Sequence, residues 1–176
     1  MIPVAKSDYN KSQFPYLKEK LGSKPYFDVA VGYQFNKANM YTALSFRNPE
    51  YETEGFGTKQ TIKKNSVALE INKFLTDYTG FAPYIGLNLA LDKISYSHHI
   101  GGLNKEEKFK NKLEPGITIG WDIVPSKTSQ PIVLRTNLRY YPLSNFNIES
   151  KKFNFSQLEY NLIQIVLYPD RMKKRK

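Results

Sequence analysis

Two histidines, His98 and His99, stand beside Ser95 and Ser97 in the stretch SYSHHI, and the 176-residue chain has no others. A serine within hydrogen-bond reach of an imidazole that a carboxylate orients would be a nucleophile for acyl transfer, including deacylation of a lipid. Adjacency in sequence does not create that relation, and the bland reading is two exposed loop histidines. As a metal site the pair lacks a third ligand at a useful spacing. The chain has no cysteine, which excludes thiolate zinc sites and a disulfide framework. It carries no glycine-rich phosphate loop and no RNA-binding aromatic signature. The expectation is a protein without catalysis, cofactor, metal or nucleic-acid partner.

A second set of residues has chemical potential of another kind. Asp28, Glu70, Asp92, Glu114 and Asp122 recur at positions that alternate with large apolar residues, and so do Arg47, Arg135 and Arg139. Their meaning depends on the elements that carry them. From Tyr26 to Phe35, Phe27, Val29, Val31, Tyr33 and Phe35 fall on one face, and Tyr26, Asp28, Ala30, Gly32 and Gln34 on the other. Period two means strand. The same pattern recurs around 40–47, 67–72, 83–92, 113–123, 132–141 and 158–162, giving about seven strands and no long amphipathic helix.

Composition agrees with this reading. Aromatics make up 14 % of the chain, with 13 tyrosines, and suit strands. Mean hydropathy is −0.53 and no run of roughly 20 apolar residues exists, so a helical membrane span is excluded. Connections alternate in length. Asn36–Asn39, Thr76–Gly80 and Pro125–Pro131 are short; Gly55–Lys64, Ser97–Asn111 and Asn145–Phe153 are longer and charged. Short turns at one end and long loops at the other describe an up-and-down antiparallel β-barrel. Even strand numbers, eight at the least, are the bacterial rule for membrane barrels. The expectation is therefore an eight-stranded barrel over 25–168, with 1–24 holding the end of a truncated first strand and a long first loop, and 169–176 a basic tail.

Alternation alone leaves open which face points inward. A soluble carrier of a lipophilic ligand would put the apolar face inside; a membrane barrel would put it outside. The polar face favours the second. It is rich in small residues and in Arg paired with carboxylates, the usual choice for enclosed ion pairs. Five to six outward positions, at about 3.3 Å per residue and a ~40° tilt, span about 25 Å, the height of a lipid-facing band. Aromatics mark the strand ends: Tyr33, Phe35, Phe81, Trp121 and Tyr168 towards the short turns, and Phe27, Phe46 and Tyr140 towards the long loops. On this reading the eight charged residues form a structural network inside, centred on Asp122, Glu114, Arg135 and Arg139. The formal net charge of +10 gathers in the loops. There Lys59, Lys63, Lys64, Lys105, Lys108 and Lys110 are candidates for contact with lipopolysaccharide phosphates.

The segments GYQFNK–MYTALSF, TGFAPYIGLNLAL, LEPGITIGW and FSQLEYNLIQIVLY resemble the small OmpA-like outer-membrane β-barrel proteins of the type common in Bacteroidota, over about 25–168. The resemblance implies an integral outer-membrane protein of Gram-negative bacteria. It also implies insertion by the outer-membrane assembly machinery, variable surface loops and partners among the outer-membrane lipids. One departure is the tail PDRMKKRK after Tyr168, where such chains commonly end on an aromatic. No signal peptide is visible at the start of the chain, so any export signal is expected to have been removed or to lie upstream.

Overall fold

The computed structural model describes residues 4–7, 20–23, 26–108, 112–124, 131–143, 145–148 and 151–172. The alternating stretches are strands: β1 (Val4–Ser7), β2 (Lys20–Ser23), β3 (Asp28–Phe35), β4 (Met40–Arg47), β5 (Glu50–Gly55) and β6 (Thr58–Phe74). They continue as β7 (Gly80–Ile100), β8 (Leu103–Lys108), β9 (Lys112–Val124), β10 (Ile132–Tyr141), β11 (Asn145–Ile148) and β12 (Lys151–Leu167). A helical turn, α1 (Pro169–Met172), follows. The architecture is all-β.

The strands form one sheet that closes on itself. β3 pairs with β4, β4 with β6, β6 with β7, β7 with β9, β9 with β10, β10 with β12, and β12 returns to β3. Closure is not the antiparallel one expected of an eight-stranded up-and-down barrel. β12 meets β3 in parallel, with Ile165 opposite Val29 and Leu167 opposite Val31. The reason lies at the other end of β12. There β1 pairs antiparallel, Val4 opposite Leu158 and Ser7 opposite Phe155, and covers only that upper stretch. Below it β12 reaches β3, which runs in its own direction. Between the two pairings the seam is bridged by side chains: the amides of Asn161 and Gln164 donate to Asp28 of β3. β1 also pairs with β2, and β2 with β5.

The long connections are a second correction. Two of those expected as loops are hairpin extensions of the strands. β5 and β6 run in register from Glu50/Lys63 to Gly55/Thr58, and β7 and β8 from Ser95/Lys108 to Ile100/Leu103. Each closes through two residues with φ above zero, Phe56–Gly57 (50° and 71°) and Gly101–Gly102 (51° and 88°). Such two-residue turns match the twist of the flanking strands. β11 and β12 form a third hairpin, Ile148 opposite Lys151. With these extensions β6 has 17 residues and β7 has 21. At the opposite end β3 and β4 join through a single 3-10 turn, Asn36–Ala38, closed by Asn39 in the left-handed region. The connection 125–130 and the tail 173–176 lie outside the described residues.

Pro83 and Pro115 sit where a strand can spare an N–H. The β6–β7 ladder ends at Tyr84, with the Pro83 carbonyl still accepting from the Leu75 N–H at 2.9 Å, and the β9–β10 ladder ends at Ile117, so neither proline has to donate on that side.

Candidate functional site: a charged interior inside an apolar surface

Period two in the sequence becomes a strict in/out alternation in space. On β7, Phe81, Ile85, Leu87, Leu89 and Leu91 are exposed, while Ala82, Tyr84, Asn88, Ala90 and Asp92 are buried. On β9, Leu113, Ile117, Ile119 and Ile123 face out, and Glu114, Thr118 and Asp122 face in. The inward face is polar and the outward face is apolar, the inverse of a water-soluble core.

All eight charged residues singled out above are buried: Asp28, Arg47, Glu70, Asp92, Glu114, Asp122, Arg135 and Arg139. They do not meet in one centre around Asp122, Glu114, Arg135 and Arg139; the closed sheet is long enough to separate them into three layers. In the layer nearest the short turns, Arg135 Nε lies 2.6 Å from Asp122 Oδ1 and its Nη2 donates to Oδ2 at 2.8 Å. This bidentate pair is wrapped in rings. The guanidinium carbon sits 4.0 Å from the Tyr41 ring centre and 4.8 Å from that of Tyr84, and Tyr78 donates its hydroxyl to Asp122 at 2.7 Å. In the middle layer Arg139 binds Asp28 and, at 2.6 Å, Glu70, so one guanidinium spans two carboxylates. In the layer below the hairpins Arg47 lies 2.9 Å from Glu159. Lys64 lies 2.7 Å from Asp92, 3.4 Å from Glu114 and 3.6 Å from Glu159. Tyr141 stands between these two cations, 5.0 Å from Arg47 and 4.6 Å from Lys64, and accepts a hydrogen bond from Arg47.

Charged groups taken from water are tolerable only when paired and hydrogen-bonded. Every cation in these layers holds at least one carboxylate. Small residues make the room. A Cβ on Gly116 would stand 2.7 Å from Tyr141, and one on Gly120 2.5 Å from the Tyr84 hydroxyl and 2.4 Å from the Thr136 carbonyl. Glycine at these positions is what lets the tyrosines lie across the interior.

Lys64 and Glu159 are the members missed in the sequence. Lys64 is fully buried and is no candidate for surface phosphate contact. The signal was present: Val67, Leu69 and Ile71 face out, so an even-numbered Lys64 on the same unbroken strand faces in with Ser66, Ala68 and Glu70. The expected loop boundary at residue 64 hid it. Glu159 lies on the polar face of β12, opposite Arg139.

Six of the expected girdle residues, Phe27, Tyr33, Phe35, Phe46, Phe81 and Tyr140, are exposed on the outer face. Trp121 is half-buried, its ring 6.2 Å from that of Phe81. Tyr168 is the exception. It is buried, and its hydroxyl accepts from Arg135 at 3.4 Å. An irregularity in β12 is the cause. Arg135 faces Gln164 while Asn137 faces Asn161, so β12 carries one residue more than β10 across this interval. Leu162 and Ile163 both point outward, and after them Gln164, Val166 and Tyr168 turn in.

Of the other lysines, Lys59 and Lys63 face outward on β6 and pair with Glu52 at 3.3 Å and Glu50 at 3.8 Å. Lys108 is exposed, 3.8 Å from Glu106. Lys110 and the side chain of Lys105 lie outside the described residues. Ser97 and His98 are consecutive on β7 and so project from opposite faces of the strand. His99 shares a hydrogen bond with Asn104 across the hairpin. Ser97 lies opposite Glu106 across the hairpin, and the two line one hollow with His98 and His99. Among the described residues no group of His, Asp and Glu could hold a metal ion. Comparison of the chain with known protein families, curated proteins and solved structures gives no match.

Proposed function

We propose that the chain is an integral bacterial outer-membrane β-barrel without catalytic activity, meeting its surroundings through the hairpins above the bilayer. One observation carries this reading: large apolar side chains cover the outside of the closed sheet while charged ones fill the inside. In lipid, every backbone polar group must find a partner within the protein, and a closed sheet is one of two ways to achieve that. The outer band has the required height. On β7 it runs from Phe81 to Leu91 and on β9 from Leu113 to Ile123, about 25 Å at ~3.3 Å per residue and a ~40° tilt. Exposed lysines mark its margins: Lys73 and Lys37 at the short-turn end, Lys63 and Lys93 at the hairpin end. The last two would stand at headgroup level in the outer leaflet, where lipopolysaccharide presents phosphate.

The interior is occupied by its own side chains, which favours a structural network over an open solute path. A soluble carrier of a lipophilic ligand would require the opposite arrangement, an apolar lining and a polar exterior. The test is folding with and without amphiphile. Circular dichroism and gel mobility before and after heating are expected to show β-structure and a heat-dependent shift only with micelles or vesicles. A monodisperse β-protein in plain buffer would overturn the proposal.

A further inference from the structure

Between the hairpin tips and the apolar band, β6, β7 and β8 carry short hydroxyl side chains among longer polar ones. Thr61 of β6 faces Ser97 of β7, and Ser97 faces Glu106 of β8. One row nearer the tips, Lys59 faces His99, and His99 faces Asn104. Long side chains around short ones leave a hollow of about 580 Å³, lined by these six residues and His98. That volume is in the range of small-ligand sites. Two of its walls are held in place. Lys59 lies 3.3 Å from Glu52. The Nδ1–H of a neutral His99 donates to Asn104 Oδ1, which leaves the imidazole Nε2 as an acceptor and the Asn104 amide nitrogen as a donor. Hydroxyl, imidazole, amide, ammonium and carboxylate thus line one space, with one cation, Lys59, against one anion, Glu106.

We propose that this hollow binds a neutral sugar residue of a glycan. A hexose presents neighbouring hydroxyls, each able to donate and to accept, and a lining of mixed donors and acceptors without net charge complements them. Other chemistries fit less well. A phosphate would meet the Glu106 carboxylate and a cationic group the Lys59 ammonium, while an apolar chain would strip water from polar groups and return no hydrogen bond. Side chains already fixed by a neighbour lose little freedom when a ligand arrives. The inference deepens the surface-contact reading and rests on it, since on that reading the hairpins stand at the cell surface.

The test is retention of the protein, folded in phosphatidylcholine vesicles, on surfaces bearing neutral oligosaccharides of glucose, mannose or galactose. Retention on at least one of them is expected, released by the free sugar and unchanged by added salt, which screens exposed charges but not hydrogen bonds between neutral groups. Ser97→Leu, which fills the floor of the hollow and removes a hydroxyl, is expected to weaken retention about tenfold, the scale of one or two lost hydrogen bonds. Ser95→Leu, on the same face but outside the lining, is expected to leave it unchanged. Lipopolysaccharide added to the vesicles separates two sources of the sugar: lost retention assigns the site to glycans of the same membrane, and full retention to glycans from outside it. No retention on any neutral surface, retention abolished by salt, or equal effects of the two leucine variants would overturn the site. The heat-dependent mobility shift of each preparation tests the membrane reading separately: a shifted protein that fails on the sugar surfaces overturns the site alone, and an absent shift overturns the reading beneath it.

Discussion

Replacing Arg139 with Met should be among the most damaging single changes in this protein, and its cost can be apportioned. Arg139 is fully buried and bound to both Asp28 and Glu70. Removing one partner of a buried ion pair costs about 3–5 kcal/mol, because the charge left behind has no water to turn to. The two stranded carboxylates are not equivalent. Asp28 keeps two amide donors, Asn161 and, at 3.0 Å, Gln164. Glu70 keeps a Gln164 contact of 3.5 Å, marginal for a hydrogen bond. Most of the penalty therefore belongs to Glu70. Arg139→Met is expected to lower stability by about 4 kcal/mol, Arg139→Met with Glu70→Gln by about 2, and Arg139→Met with Asp28→Asn by about 3. Urea unfolding in one detergent, followed by the heat-sensitive gel band and by circular dichroism, gives the differences from the shift in midpoint. Equal rescue by the two second substitutions would refute the layer geometry. A loss below about 1 kcal/mol in Arg139→Met, the scale of an exposed pair, would refute the burial itself.

Three further outcomes are expected. Lys64→Met, which takes the cation from Asp92 and Glu114 and leaves Glu159 only Arg47, should cost several times more in the same unfolding assay than Lys63→Met, one residue away on the outer face; comparable effects would return Lys64 to the surface. Gly120→Val should destabilise by about 1–3 kcal/mol or more, because its first carbon already meets Tyr84 and the Thr136 carbonyl, and a neutral result would mean the tyrosine lies elsewhere. The chain has no cysteine, so Val29→Cys with Ile165→Cys tests the parallel seam without background. Oxidation should cross-link this pair as readily as Val29→Cys with Phe46→Cys across β3 and β4; failure of the first alone would show that β12 and β3 are not neighbours.

Much of this was legible from alternation. Each strand of the ring carries enough period-two sequence to fix which side chains share a face, and the eight interior charges follow from that. Several features escaped, each for a physical reason. The hairpins were hidden because above the apolar band the pattern changes: Tyr51, Ile62, Ile94 and Tyr96 are buried while outward positions such as Lys63 and Lys93 are charged, so the apolar-out, polar-in alternation does not continue. Lys64 was lost with them, being the first inward residue below that boundary. Tyr168 was turned the wrong way because an inserted residue in β12 carries no sequence mark: Leu162 and Ile163 are two apolar neighbours, readable as either phase. The parallel closure lies beyond pattern reading altogether, since period two says which face a residue takes and nothing of which strand lies beside it.

The most direct test of the central claim, that the apolar face meets lipid, is a cysteine scan along β7. Single cysteines at Ile85, Gly86, Leu87, Asn88, Leu89 and Ala90, each spin-labelled in vesicles, would be probed with oxygen, which concentrates in hydrocarbon, and with a water-soluble nickel complex. Labels at 85, 87 and 89 are expected to be open to oxygen and closed to nickel, with those at 86, 88 and 90 shielded from both. Nickel access at 85, 87 and 89, or hydrocarbon access at the even positions, would contradict it.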